Sequence, residues 1–291
     1  MGADVRAGDV LAAALRRNAR ALLDQDVAVR RRDVDAVHQL RVTCRRLRAD
    51  LWTFRPVLDR DWSDALREEL AWLASALGQA RDAEVLRERL QAAVEVLPAE
   101  RARVALMSRL STALIVRTEA ADAVVDDALG SPRYGALVAR LLAASPRLGP
   151  LADTPARKAL GPRVAAVWKR LDRAADAGLA ADAPDELLHV TRVVAKRARY
   201  AAESVVPAFG KRARRLAARA ERVQEVLGEQ HDAVVAATFL EDLARPVRSG
   251  REAFLLGGLH QRQLDRAAQA AREFRDVWRT GAPQKMDWLR P

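Results

Sequence analysis

One cysteine, two tyrosines and five phenylalanines are spread over 291 residues. No uncharged apolar run reaches the roughly 18 residues that a membrane span requires. The lone Cys44 excludes an internal disulfide and any cluster of zinc-binding thiolates. It falls on an apolar helix face, which makes it a small core residue in a chain expected to occupy a reducing compartment. The N-terminal MGADVRAGDV lacks the apolar core of a secretory signal, so the cytoplasm is the expected location. Period-two runs of Val, Ile and Thr, the mark of strands, are absent. The four histidines form no HExxH motif and no pair three or four residues apart, so neither a metal nor another cofactor is expected. Gly210-Lys211 lacks the preceding glycine and following Ser/Thr of a phosphate loop. Missing too are a helix-turn-helix, a zinc finger, and the basic segments with interleaved aromatics that bind single-stranded nucleic acid.

What remains is helix-forming. Half of the chain is apolar, and Ala, Leu, Arg and Glu dominate. Ala and the straight-chain residues lose little entropy in a helix, so the expected class is all-α. Breakers predict helices near 9–32, 34–55, 61–77, 79–96, 99–129 and 132–144. A stretch rich in Pro and Gly follows, and helices resume near 163–177, 185–206, 210–227, 229–244 and 250–279. Pro98, Pro132, Pro184 and Pro207 fall at junctions. This divides one domain, 5–280, into halves 5–145 and 155–280, with a tail at 281–291. The six tryptophans lie at helix spacing beside Leu and Val, where core packing is their expected role.

Lys and Arg number 50 against 39 Asp and Glu, a net charge of +11 carried mainly by Arg. Guanidinium presents a planar fork of donors that fits phosphate oxygens and stays charged at neutral pH. The excess implies either an anionic partner or an Arg-rich solvated surface that reflects base composition.

An internal repeat bears on that choice. His38 is followed by Arg41, Arg45, Arg46 and Arg48; His189 is followed by Arg192, Lys196, Arg197 and Arg199. The offsets of three, seven, eight and ten are the same in both. Downstream, Leu77-Gly78-Gln79-Ala80-Arg81-Asp82 answers Leu227-Gly228-Glu229-Gln230-His231-Asp232. These segments stand 150 residues apart and the histidines 151, which implies duplication of a multi-helix unit.

On a helix, His38, Arg41, Arg45 and Arg48 share an arc of roughly 80°, with Arg46 on its flank. Leu40, Leu47, Leu51 and Phe54 lie opposite, beside Val37 and Cys44. His189, Arg192, Lys196 and Arg199 form the second stripe with Arg197 flanking, opposite Leu187, Val194, Ala198 and Val205. No acidic residue occurs within 36–49 or 187–202. Solvated helix faces mix signs, because opposite charges four apart stabilise and like charges do not. A stripe built twice without compensation therefore favours a polyanion site over a plain solvated face. A helix histidine by itself is usually a packing or capping residue; as a matched pair heading two stripes, these fit hydrogen-bond donors to phosphate. Gly78 and Gly228 are expected to end helices in the left-handed conformation, which would place Asp82 and Asp232 in the first turn of the next helix. The alternative role for each Asp is to orient a stripe arginine, with Arg81 and His231 playing a lesser part in binding.

At these residues the sequence resembles the conserved histidine α-helical domain (CHAD) family, over about 5–280. The resemblance rests on His38-Gln39-Leu40-Arg41, Arg45-Arg46-Leu47-Arg48, the His189 stripe and the two Leu-Gly…Asp segments. It implies two pseudo-symmetric helical bundles around a shared basic cleft or pore. It also implies binding of inorganic polyphosphate, association with polyphosphate granules, and a binding set formed by the two stripes. Lys196 stands where Arg is expected and serves as a point charge. His231 replaces the usual Arg of its segment. The expected function is non-enzymatic binding of polyphosphate. The alternatives are nucleic-acid binding, which the charge permits, and hydrolysis of phosphoanhydrides, which needs a metal on clustered carboxylates that the stripes lack.

Overall fold

The fold is described from a computed structural model covering residues 5–97, 101–142, 146–281 and 286–289; Pro98, the ends of helices expected near 99 and 144, and most of the 281–291 tail lie outside the described residues. In chain order the helices are α1 (Ala7–Arg30), α2 (Ala36–Thr53), α3 (Arg60–Glu95), α4 (Arg101–Gly130), α5 (Pro132–Leu142), α6 (Ala156–Ala177), α7 (Asp185–Ser204), α8 (Val206–Phe209), α9 (Lys211–Ala244) and α10 (Gly250–Thr280). Short 3₁₀ turns span Arg55–Val57 and Asp287–Leu289. The described residues contain no strand, only isolated bridges between Arg6 and Pro155 and between Leu58 and Leu148.

Two expected breaks are not breaks. The helices predicted at 61–77 and 79–96 are one helix, α3, and those at 210–227 and 229–244 are one helix, α9. Neither Gly78 nor Gly228 is left-handed; Gly210 is the one described glycine with positive φ. Glycine costs about 1 kcal/mol in a helix interior, and burial of Leu77, Ala80 and Ala83 in α3, and of Leu227 and Ala233 in α9, outweighs it. Asp82 and Asp232 are consequently mid-helix residues, not first-turn residues. A third expectation also fails: Pro162 does not precede a helix but lies within α6, which begins six residues earlier. Its ring nitrogen has no N–H to donate to the carbonyl four residues back. Burial of Ala159, Leu160 and Val164 on either side holds the helix together.

One hydrophobic core runs without interruption through α1, α2, α3, α6, α7 and α9, so it spans the two segments expected as halves. Leu40, Cys44, Leu47, Leu51 and Phe54 form the buried side of α2. On α7, Ala198 and Val205 are buried and Val194 partly so, but Leu187 is 37% exposed and Leu188 takes the core position instead. A smaller second core fills the space between the end of α3, the start of α4, the end of α9 and the start of α10. Trp168 and Trp278 are buried and stack on each other. Trp62, Trp72 and Trp288 pack on the main core, as does half-buried Trp52.

A buried carboxylate crosses between halves. Asp50 on α2 accepts hydrogen bonds from Ser204 of α7 at 2.5 Å and Asn18 of α1 at 3.2 Å. Burial pushes its pKa up to about 7. Through these bonds α2 and α7 are fixed side by side, with their polar faces toward a common space.

Candidate functional site

That space is a cleft of about 840 Å³ lined by α2, α3, α7 and a short piece of α9. Eight basic side chains line it: Arg41, Arg45, Arg48, Arg67, Arg81, Arg192, Lys196 and Arg197. Three histidines join them, His38, His189 and His231, against three carboxylates, Glu68, Asp82 and Asp232. The two stripes face one another across the cleft, because each helix buries its Leu, Ala or Cys side in the shared core.

Eight of the ten expected stripe residues line the cleft, and so do Arg81 and His231. Arg46 and Arg199 do not. Glu203 of α7 draws both away, at 3.2 Å from Arg46 and 2.8 Å from Arg199, and Glu221 adds a second partner to Arg199 at 2.8 Å. Their guanidiniums lie 5.6 and 6.0 Å from the ring centre of Tyr200. The second stripe is thus corrected: flanking Arg197 faces the cleft, and Arg199, expected on the stripe itself, does not.

The glycines and aspartates of the repeated segments act on the arginines. A Cβ on Gly78 would sit 3.5 Å from the Arg41 guanidinium, and one on Gly228 3.8 Å from that of Arg192. Each arginine lies flat across the bare helix surface that its glycine provides. Arg41 then donates to Asp82 at 3.0 Å, and Arg192 pairs loosely with Asp232 at 3.9 Å. Of the two roles open for these aspartates, orienting a stripe arginine is the one realised. Arg81 is likewise matched, by Glu84 at 3.1 Å and Asp35 at 3.6 Å.

Arg45, Arg48, Lys196 and Arg197 have no carboxylate within ion-pair distance among the described residues. Their electrostatics show the strain of crowded like charge. Burial, with repulsion from Arg192, Arg45 and Arg41, lowers Lys196 to about 6. Burial and Arg41 bring Arg45 down to about 10, still charged at neutral pH. The His231 ring lies 4.8 Å from that of His189. Burial and then Arg192 lower His231 to about 4, and His38 and His189 are lowered for similar reasons. An anion among these groups would relieve every one of the repulsions.

Four charged or aromatic lining residues were not anticipated as site residues: Trp52, Arg67, Glu68 and Tyr200. Trp52 lies fourteen residues after His38, on the extension of the stripe face, and that spacing was a readable signal. Arg67 gave none, since two glutamates follow it directly in sequence.

An all-helical domain built around one cation-lined cleft is the class that fold and site define. The CHAD domain family model matches residues 13–241, and the chain belongs to that family. It is similar to PptA from Streptomyces chartreusis, with a TM-score of 0.80 and 28% identity over 95% of this chain and 100% of that one. The CHAD domain from the plant Ricinus communis matches at a TM-score of 0.73 and 28% identity, over 96% of this chain and 94% of that domain. Two uncharacterized Mycobacterium tuberculosis proteins, MT2285 and Rv2226, are each 33% identical over 254 residues. The match covers 84% of this chain but 48% of each relative, so the chain spans about half the length of the curated relatives it matches.

Proposed function

We propose that this protein binds inorganic polyphosphate in the cleft and does not turn it over. The observation that carries this reading is the convergence of eight basic side chains and three histidines on one cavity with three carboxylates, two of them facing arginines. A chain of closely spaced phosphates would supply charge to the cations that the protein leaves unmatched, and its binding would release many counterions. Membership of the CHAD family supports this choice of ligand. Against hydrolysis, Asp82 and Asp232 each face an arginine, Arg41 and Arg192, and among the described residues no group of three His, Cys, Asp or Glu side chains is placed to hold a metal ion. Among the described residues no helix is long and apolar enough to cross a membrane. The proposed setting is the cytoplasm, at polyphosphate granules.

Titration with long-chain polyphosphate at physiological salt, in competition with double-stranded DNA, tests the proposal. The expected result is salt-sensitive binding that DNA at equal charge concentration does not displace. Displacement by DNA would favour a nucleic-acid binder, and Mg²⁺-dependent phosphate release abolished by Asp82→Ala would favour a hydrolase. Reversing Arg45 and Lys196 together to Glu should weaken binding by about 100-fold or more with helicity intact, since each charge-assisted contact contributes roughly 1.5–3 kcal/mol.

A further inference from the structure

Resting on the polyphosphate reading, we infer that the cleft continues at its Trp52 end into an outer phosphate track through Arg67 and Arg170, with Trp52 as the residue that positions it. The two ends of the cleft differ in chemistry. At the histidine end the cations are matched: Arg41 by Asp82, and Arg81 by Asp35 and Glu84. At the other end four helices each send an arginine to one place: Arg48 from α2, Arg67 from α3, Arg170 from α6 and Arg197 from α7. Arg170 and Arg197 share the Trp52 indole, with guanidinium carbons 4.7 and 5.3 Å from its ring centre. The ring's electron-rich face attracts both cations and keeps them close despite their repulsion.

Crowding here is marked. After burial, the causes that lower Arg197 are Arg170 and Arg67, and those two arginines of the cleft wall, Arg197 and Arg67, also act on Arg48. Arg67 has one carboxylate in range, Asp64 at 3.5 Å, which already accepts hydrogen bonds from Arg55. Arg48, Arg170 and Arg197 have none among the described residues. Arg170 is exposed and lies outside the cavity lining, so it extends the positive surface beyond the mouth. A short oligophosphate held between the stripes would not reach it. A chain emerging from the cleft would meet it next.

The test compares tripolyphosphate with long-chain polyphosphate by calorimetry on the full chain. Arg170→Glu is expected to weaken long-chain binding by about tenfold and to leave tripolyphosphate within about twofold of wild type. Trp52→Leu, which loosens cleft-lining Arg197 as well as Arg170, should weaken long-chain binding by at least as much, and Trp52→Phe, which keeps a ring face, should restore most of it. Equal losses for both ligands from Arg170→Glu, or no loss for either, would overturn the track. So would a Trp52→Phe variant as weak as Trp52→Leu. Absence of any polyphosphate binding by the wild-type chain would instead sink the functional reading on which the track rests.

Discussion

The helices α2 and α7 carry cations at the same offsets from their histidines yet use them differently. At offset eight, Arg46 leaves the cleft while Arg197 lines it. At offset ten, Arg48 lines it while Arg199 leaves. Four residues further on, at offset fourteen, the two helices hold opposite chemistry: Trp52 in the first and Glu203 in the second. Glu203 pulls two arginines out through ion pairs, and Trp52 holds one in place through its ring. Repetition of a basic stripe sets which residues are available to a ligand. A single acidic or aromatic neighbour decides which of them reach it.

The largest expected effect separates those two sets. Arg48→Glu with Arg197→Glu should weaken long-chain polyphosphate binding by about 100-fold or more. Arg46→Glu with Arg199→Glu should stay within about threefold of wild type. Similar losses from both pairs, measured in one titration series, would erase the distinction between cleft-facing and withdrawn arginines.

Next comes the difference between Arg45 and Lys196, which share offset seven. Lys196 sits near 6 because burial, and then the neighbouring cations, oppose its charge. A bound polyanion raises that value, so binding takes up a proton, and affinity falls as pH rises above about 6. The slope for one proton is at most about tenfold per pH unit. Lys196→Arg, with a side chain that stays charged, should remove most of the slope between pH 7 and 8. A wild-type affinity that does not change with pH would show that Lys196 takes up no proton on binding.

Smaller effects concern the glycines. Gly78→Ala places its Cβ at ordinary contact distance from Arg41 and gains about 1 kcal/mol of helix propensity. It should therefore raise the melting temperature slightly and leave binding unchanged. Gly78→Leu should push the guanidinium off α3 and weaken binding by about tenfold. If both variants bind like wild type, the glycine does not seat the arginine.

The smallest effect on binding, and a clear one on stability, is expected at Asp50, whose equivalent at offset twelve is Ala201. Burial raises its folded pKa above the unfolded value of about 4, so the native state keeps a proton that the unfolded chain has lost. Stability from this group is present below about pH 4 and declines as pH rises toward 7. Asp50→Asn should abolish that decline in denaturant melts while polyphosphate affinity stays the same.

Much of this was legible along the chain. Helix class followed from composition, and the stripes were visible because helical periodicity puts residues three, four and seven apart on one side. Eight of ten stripe residues reach the cleft for that reason. The failures are equally physical. Gly78 and Gly228 looked like helix ends because local preference was all that could be weighed, and burial of their neighbours overrides it. Arg46 was misplaced because Glu203 meets it only where α2 and α7 pack together, whereas Arg199 stands four residues before Glu203 on α7, a local pairing that the sequence itself displays. Arg67 and Arg170 were invisible because no local pattern ties either of them to α2 and α7.

By itself the sequence determined the helices, the side of each that is buried, and a doubled set of cations without local counter-charge. These depend on interactions within a turn or two, where 3.6-residue geometry makes neighbours predictable. Tertiary structure alone decided which cations are matched by distant carboxylates, which share the Trp52 ring, and how far the positive surface extends, because those contacts join residues up to about 150 positions apart.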